Sequence, residues 1–321
     1  MMGGVSASNL ADAAMLSRMM VPEMERKGYN RAFAAAITAG GSLVTPIIPP
    51  GIALIIYGLV ADVSIGKMFI AGLVPGLLCA VVLMFTVYLV ARKTNAKPSR
   101  ESWPTCKEVV FSLGQAWPAL FLIFAVVGGI RANIFTPTEA GAVAVLIVLA
   151  IGFFIYREMR ISHVVKALGE TARATASVML VIMASAALGW IFSMEHAGVA
   201  VANFVTSLTE NKYMFLLIIN ILLLTLGMFL EGNAILLILV PLLKPVVEHF
   251  GIDPVHFGII MIFNLSIGAF TPPVGTVMLL VCNITQVSVG NFFKQSLPLL
   301  AALLLMLMLV TYIPAISLFL V

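Results

Sequence analysis

Short polar side chains gather where this sequence least favours a continuous helix. Gly3-Gly4-Val5-Ser6-Ala7-Ser8-Asn9 opens the chain, and Gly227-Met-Phe-Leu-Glu231-Gly232-Asn233 interrupts an apolar run late in it. Hydroxyls, amide oxygens and peptide carbonyls freed at such breaks are hard oxygen donors, the ligand type that suits a small hard cation. Ser6, Ser8, Asn9 and Asn233 are therefore candidate binding residues. Asp12 and Glu231 are the acids nearest these turns, and an acid inside an apolar segment is a functional candidate by default. They could bind a cation or a proton, or accept backbone N–H groups at a turn. The structural role is expected, because carboxylates stabilise helix starts.

Other polar residues point to folding rather than chemistry. Thr136-Pro137-Thr138-Glu139 reads as a capping box opening a helix. His249 and His256 flank Asp253, but the spacing fits no zinc site, and a solvated loop is expected there. No Ser/His/Asp constellation, P-loop or nucleotide fingerprint occurs in the sequence. No catalytic residue, enzyme activity or organic cofactor is therefore expected, and energy from an ion gradient fits better than ATP.

The elements that must position these residues follow from composition. Of 321 residues, 61% are hydrophobic and 10% charged, with a mean hydropathy of +1.12. Soluble domains carry about 25% charged residues, so these could not cover a soluble surface. A multi-pass all-α membrane protein in the lipid bilayer remains. The net charge of +4 is not a nucleic-acid signal, since no basic run is interleaved with aromatics.

Stretches free of Asp, Glu, Lys and Arg cover 32–61, 68–91, 109–130, 140–156, 174–194, 213–230, 232–243, 254–293 and 295–321. Two are too long for one helix, and each holds a proline pair, Pro49-Pro50 or Pro272-Pro273, so each is expected to break at mid-membrane. Non-helical backbone at that depth must line a cavity or be buried in protein. Residues 213–247 read as a re-entrant hairpin with its tip at Glu231–Asn233. Residues 3–25 read as the tip and returning arm of another.

With five crossings between them, the hairpins enter from opposite faces. Thirteen basic residues (Arg26, Lys27, Arg31, Arg92, Lys93, Lys97, Arg100, Lys107, Arg157, Arg160, Lys166, Arg173, Lys294) then share one side, against Lys67, Arg131, Lys212 and Lys244 on the other. The richer side is expected to be cytoplasmic. Residues 157–172 read as an interfacial amphipathic helix.

An internal repeat links the halves. Asp12 matches Glu231 and Val21-Pro22 matches Val240-Pro241 at one offset. Gly28/Gly251, Pro49-Pro50/Pro272-Pro273 and Val63–Gly66/Val287–Gly290 match at an offset four or five residues longer. The drift is expected in the turn at 248–254. The expected organisation is a truncated first repeat over 1–91, scaffold helices and an interfacial arm over 92–172, and a second repeat over 173–321. Inverted repeats with discontinuous helices are a signature of secondary transporters.

The stretches GGVSASNLADAAMLSRMMVPEMERKGY, TPIIPPG, IFTPTEAGAVAV, MFLEGNAILLILVPLLKPVVEHFGIDPVHFGI and GAFTPPVG resemble the large membrane subunit of tripartite ATP-independent periplasmic (TRAP) transporters. The resemblance implies an elevator-type carrier of the ion-transporter superfamily in the bacterial inner membrane, driven by a Na⁺ gradient. It implies a small four-helix membrane subunit and a periplasmic substrate-binding protein as partners. The imported substrate would be a small organic carboxylate of the C4-dicarboxylate, sugar acid or sialic acid class.

The resemblance also places two Na⁺ sites between the tips and the broken helices. The first would draw on Gly4, Ser6, Ser8, Thr45, Pro46 and Pro49, and the second on Gly227, Gly232, Gly268, Thr271 and Thr276. Members of that family carry further residues before the GGVSAS tip, so the chain is expected to be a fragment or to have a misassigned start. A binding-protein-independent symporter of the same superfamily and a passive channel are the competing expectations. Gly40, Gly41 and Gly141 are the expected close-packing glycines.

Overall fold

The computed structural model describes residues 8–93, 105–115, 117–132, 134–195 and 209–321, with isolated positions between 196 and 208. Among the described residues it is helical, with no strand. The helices are α1 (Asn9–Arg26), α2 (Arg31–Ser42), α3 (Ile52–Ala61), α4 (Ile65–Lys93), α5 (Cys106–Gln115), α6 (Trp117–Arg131) and α7 (Pro137–Ala150). After a π-helical turn, Ile151–Ile155, come α8 (Ile161–Met194), α9 (Lys212–Phe229), α10 (Gly232–His249), α11 (Pro254–Phe270), α12 (Thr276–Thr285), α13 (Val289–Tyr312) and α14 (Ala315–Leu318). Five of these, α4, α8, α9, α10 and α13, are long and apolar enough to cross a bilayer. The chain is a polytopic all-α membrane protein.

Both long apolar stretches break at their proline pairs, as expected. The breaks differ in shape for a local reason. In the first, Leu43, Thr45 and Ile47 donate to residues three back, so the helix tightens into short turns from residue 43. Pro46 supplies no N–H to continue an α-helical ladder there. In the second, no proline intervenes before Pro272, and α11 runs to Phe270 before stopping. Pro49-Pro50 and Pro272-Pro273 are both cis. A glycine follows each pair: a Cβ on Gly51 would lie 2.4 Å from the Pro46 carbonyl oxygen, and Gly275 has φ 49°.

The repeat is sharper than the residue matches suggest. Helices α1 and α10 are both 18 residues long and begin 223 positions apart, as do their N-caps, Ser8 and Glu231. The same offset relates Gly28 and Gly251, both with positive φ, and the N-caps Asn30 and Asp253. One extra residue in the second break makes the offset 224 for the 10-residue α3 and α12 and their left-handed caps Asp62 and Gln286. Pro22 therefore corresponds to Pro245, and Glu231 to Ser8 rather than Asp12. Charge type suggested a different register from the one that capping role enforces, and the expected drift at 248–254 is absent.

Packing follows the repeat crosswise. Helix α1 lies against α12 of the other half, and α10 lies against α3. Helix α11 is buried along its whole apolar length from Val255 to Phe270, as expected of a helix without a polar face. Tyr57 crosses it where a Cβ on Gly258 would come within 2.4 Å of the ring, and donates to the Pro254 carbonyl at 2.7 Å. Gly72 and Gly76 let α4 lie on the first break, since a Cβ on Gly72 would sit 2.1 Å from the Ile47 oxygen. Among the described residues Gly41 and Gly141, expected as packing glycines, face nothing within 4 Å, and Gly40 makes an ordinary contact.

Three further expectations change. Residues 232–243 are part of an 18-residue helix that includes Lys244. Residues 161–194 form one continuous helix, so α8 runs through the expected 172/173 boundary and takes in residues 161–172 of the expected interfacial segment. His256 is 2% exposed, not solvated: its Nδ1 lies 2.7 Å from Ser317 Oγ, and its Nε2 3.3 Å from the Thr311 carbonyl. Glu139 does close the capping box with Thr136, as its sequence context implied.

Candidate functional site

Four helix starts meet at one cavity of about 140 Å³. Ser8, Asn9 and Leu10 bring the start of α1, and Ile52 and Ala53 that of α3. Glu231, Gly232 and Asn233 bring the start of α10, and Thr276 that of α12. Two come from each half of the repeat. Helix N-termini leave backbone N–H groups unpaired and carry the positive end of the helix dipole. Four such ends directed at one cavity favour an anion there, offset in part by the Glu231 carboxylate in the lining. Pro46, from the first break, and Ser266 and Ala269, from α11, line further parts of the wall.

The caps at the two tips use different chemistry. Ser8 accepts the Ala11 N–H at 3.4 Å. Glu231 accepts the Ala234 N–H at 3.0 Å through Oε2, and the Asn233 side-chain amide at 2.8 Å through Oε1. Both are N-caps, but only the second brings a negative charge to the cavity. Among the described residues lining it there is no Lys, Arg or His.

Of the residues singled out in the sequence, Ser8, Asn9, Pro46, Gly232, Asn233 and Thr276 come together on this cavity, with Glu231. Thr45 does not line it. Its hydroxyl donates to Asp12 Oδ2 at 2.6 Å, and both residues are buried. Asp12 is thus not a cap: it lies in the first turn of α1 and ties that helix to the first break. Its other oxygen, Oδ1, is buried with no hydrogen-bond partner among the described residues.

Gly227 and Gly268 form a backbone crossing of α9 and α11, since a Cβ on Gly268 would lie 2.7 Å from the Gly227 backbone. Thr271 Oγ1 donates to the Ile267 carbonyl at 2.7 Å. The Gly275 N–H donates to the Met228 carbonyl at 2.9 Å, fastening the second break to α9. Pro49 sits in the cis pair away from the cavity lining. Gly4 and Ser6 lie outside the described residues.

Sequence reasoning missed Ser266, which has no local signal within a uniformly apolar helix. It also missed a buried polar chain in the second half. Asn264 donates to Asn220 Oδ1 at 2.6 Å, and Asn220 donates to Thr311 Oγ1 at 3.0 Å. Among the described residues Asn264 Oδ1 has no hydrogen-bond partner. This chain binds α9, α11 and α13 into one unit, and paired polar groups of this kind hold apolar helices in register.

The family model described as "Tripartite ATP-independent periplasmic transporter, DctM component" matches residues 1–316. The chain belongs to this family. It is 39% identical over 316 residues to the C4-dicarboxylate TRAP transporter large permease protein DctM of Pseudomonas aeruginosa, covering 98% of this chain and 73% of that protein. It is 39% identical over 321 residues to the sialic acid TRAP transporter large permease protein SiaM of Vibrio cholerae, covering 99% and 74%. The isethionate TRAP transporter permease protein DctMQ of Oleidesulfovibrio alaskensis is 37% identical over 315 residues, covering 98% of this chain and 49% of that protein. The DctM family is a transporter permease component rather than an enzyme, in line with the sequence expectation.

Proposed function

We propose that this DctM-family chain is the transmembrane subunit of a Na⁺-driven, binding-protein-dependent secondary transporter in the bacterial inner membrane. Its cargo is a small organic carboxylate, held in the cavity between the two tips. The convergence of four helix N-termini on that cavity carries this reading. Fixed backbone N–H groups would hold the carboxylate without a cationic side chain. The names of the relatives, C4-dicarboxylate and sialic acid transporters, agree with an anionic cargo.

Coupling to Na⁺ rests on Asp12. A buried carboxylate oxygen without a donor is costly, and a hard cation would satisfy it. Thr45 and Asp12 would hold one ion at the first break. Thr271 and the freed carbonyls beside it would hold the other. In this reading α1 and the α9–α10 pair are arms of re-entrant hairpins of opposite orientation. The two halves then form inverted repeats that carry the site across the membrane by an elevator motion against a scaffold that includes α5–α7. A small four-helix membrane subunit would pair with that scaffold, and a periplasmic binding protein would deliver the substrate. A relative named DctMQ, about half of which this chain matches, fits an arrangement in which a second membrane component is fused.

Ion binding is tested by thermal unfolding of the purified protein in NaCl against KCl. Na⁺ is expected to raise the midpoint selectively, and Asp12→Asn to remove the difference. Equal stabilisation by both salts in the unaltered protein would contradict Na⁺ binding.

A further inference from the structure

The four helix starts at the tip cavity form two pairs, because α1 packs against α12 and α10 against α3. The pairs differ in charge. In the first, α1 is capped by the neutral Ser8, and α12 follows Gly275 with no side-chain cap. In the second, α3 follows Gly51, again with no side-chain cap, but α10 is capped by Glu231. Glu231 is the one charged side chain among the described residues that line the cavity. A helix start carries roughly half a positive charge, so four supply about +2 and the Glu231 carboxylate cancels about one. The wall is then matched to one carboxylate rather than two. Asp12, Thr45 and Thr271, the residues proposed to hold ions, are not among those lining it.

Hydrogen-bond acceptors gather at the second pair. Glu231 Oε1 and Oε2 take one donor each, the Asn233 amide and the Ala234 N–H, while a carboxylate offers about four lone-pair positions. Ser266 gives its hydrogen to the Ile262 carbonyl at 2.8 Å, so its oxygen also presents an acceptor. Gly232 lies against Leu265, and the same turn of α11 brings Ser266 to the cavity. With no Lys or Arg among the described lining residues, such a wall suits hydroxyl groups better than a carboxylate.

We propose that Glu231 sets the class of cargo: a monocarboxylate bearing hydroxyl groups. Its carboxylate lies nearest the starts of α1 and α12, and a hydroxyl donates to Glu231. A second carboxylate at that end would face Glu231 across one small cavity, so dicarboxylates are disfavoured. The inference rests on the reading of the cavity as a carboxylate site, and adds an orientation and a discriminating residue to it.

Thermal unfolding of the purified protein at fixed Na⁺ and ionic strength, titrated with two matched pairs of acids, tests it. D-glycerate and tartronate, like D-gluconate and D-glucarate, differ only in a terminal CH₂OH replaced by a carboxylate. In whichever pair stabilises the protein, the monoanion is expected to reach half its effect at a concentration about tenfold or more below the dianion. Glu231→Gln keeps an acceptor for the Ala234 N–H but removes the charge, and is expected to narrow that ratio to about threefold or less. Ser8→Asp, an equally good cap, brings a carboxylate to the neutral pair and is expected to weaken monoanion binding about tenfold. A dianion that binds as well as its partner, a ratio unchanged in Glu231→Gln, or full monoanion binding in Ser8→Asp would each overturn the proposal and leave the carboxylate site standing. No stabilisation by any of the four acids would overturn both.

Discussion

Thr45 and Gly268 occupy the same place in the two halves, 223 residues apart, and they fasten their breaks by opposite means. Thr45 uses a side chain: its hydroxyl reaches Asp12 and ties the first break to α1. Gly268 uses the lack of one: its backbone lies against Gly227, so α11 and α9 touch main chain to main chain. The first lock contains a buried acid with one oxygen unsatisfied. The second is made of glycine and a backbone hydrogen bond from Gly275 to Met228. A shared architecture thus has one half whose lock contains a carboxylate and one whose lock is steric. Near-identical element lengths do not imply identical chemistry.

Giving Gly268 the side chain of its counterpart tests this contrast most severely. Gly268→Thr forces a Cβ and more into the Gly227 backbone, which cannot rotate away. A loss of about 3 kcal/mol or more is expected, read as failure to accumulate in membranes or a large fall in thermal midpoint. A midpoint within a degree or two of the unaltered protein would show that the crossing is not tight.

Thr45→Val should cost somewhat less, about 2–3 kcal/mol, because it strips a buried acid of its donor. The double variant Thr45→Val with Asp12→Leu is expected to recover much of that loss, since replacing both partners by apolar groups can be nearly neutral. Additive losses in unfolding experiments would mean that the pair does not act as a unit.

The caps give a smaller contrast. Glu231→Ala removes the acceptor for Ala234 N–H and is expected to cost about 1 kcal/mol. Ser8→Ala, at the equivalent position, leaves a longer hydrogen bond unmade and should cost less in the same melting experiment. An equal or larger loss for Ser8→Ala would reverse the ranking. Thr271→Ala should have the smallest effect on stability, since its hydroxyl bonds back to Ile267 within its own turn. Its expected signature is instead a higher Na⁺ concentration for half-maximal stabilisation, and an unchanged value would remove Thr271 from the ion site.

Much of the architecture was legible because it rests on composition and on proline. Thirty-two charged residues in 321 leave no soluble option, and the proline pairs mark both breaks to within a few residues. The tip residues Ser8, Asn9 and Asn233 were also legible, as small polar groups where the helix must stop, whereas Thr276 was reached only through the family resemblance. The lock between Asp12 and Thr45 was not, because it joins residues 33 apart on different helices. Helix α11 is buried on every side, so periodicity carried no sign of which way Asn264 or Ser266 points. The repeat register was misread at the tips for a related reason. Matching acid with acid ignored that a serine and a glutamate can fill the same cap.

In the proposed mechanism the four converging helix starts hold a carboxylate that a Na⁺ gradient drives across the membrane. Uptake into proteoliposomes containing the protein with its small membrane subunit, supplied with the loaded binding protein, tests it most directly. Accumulation should require both an inward Na⁺ gradient and the binding protein, and should fall sharply in Asp12→Asn. Uptake that proceeds equally when Na⁺ is replaced by K⁺ would contradict it.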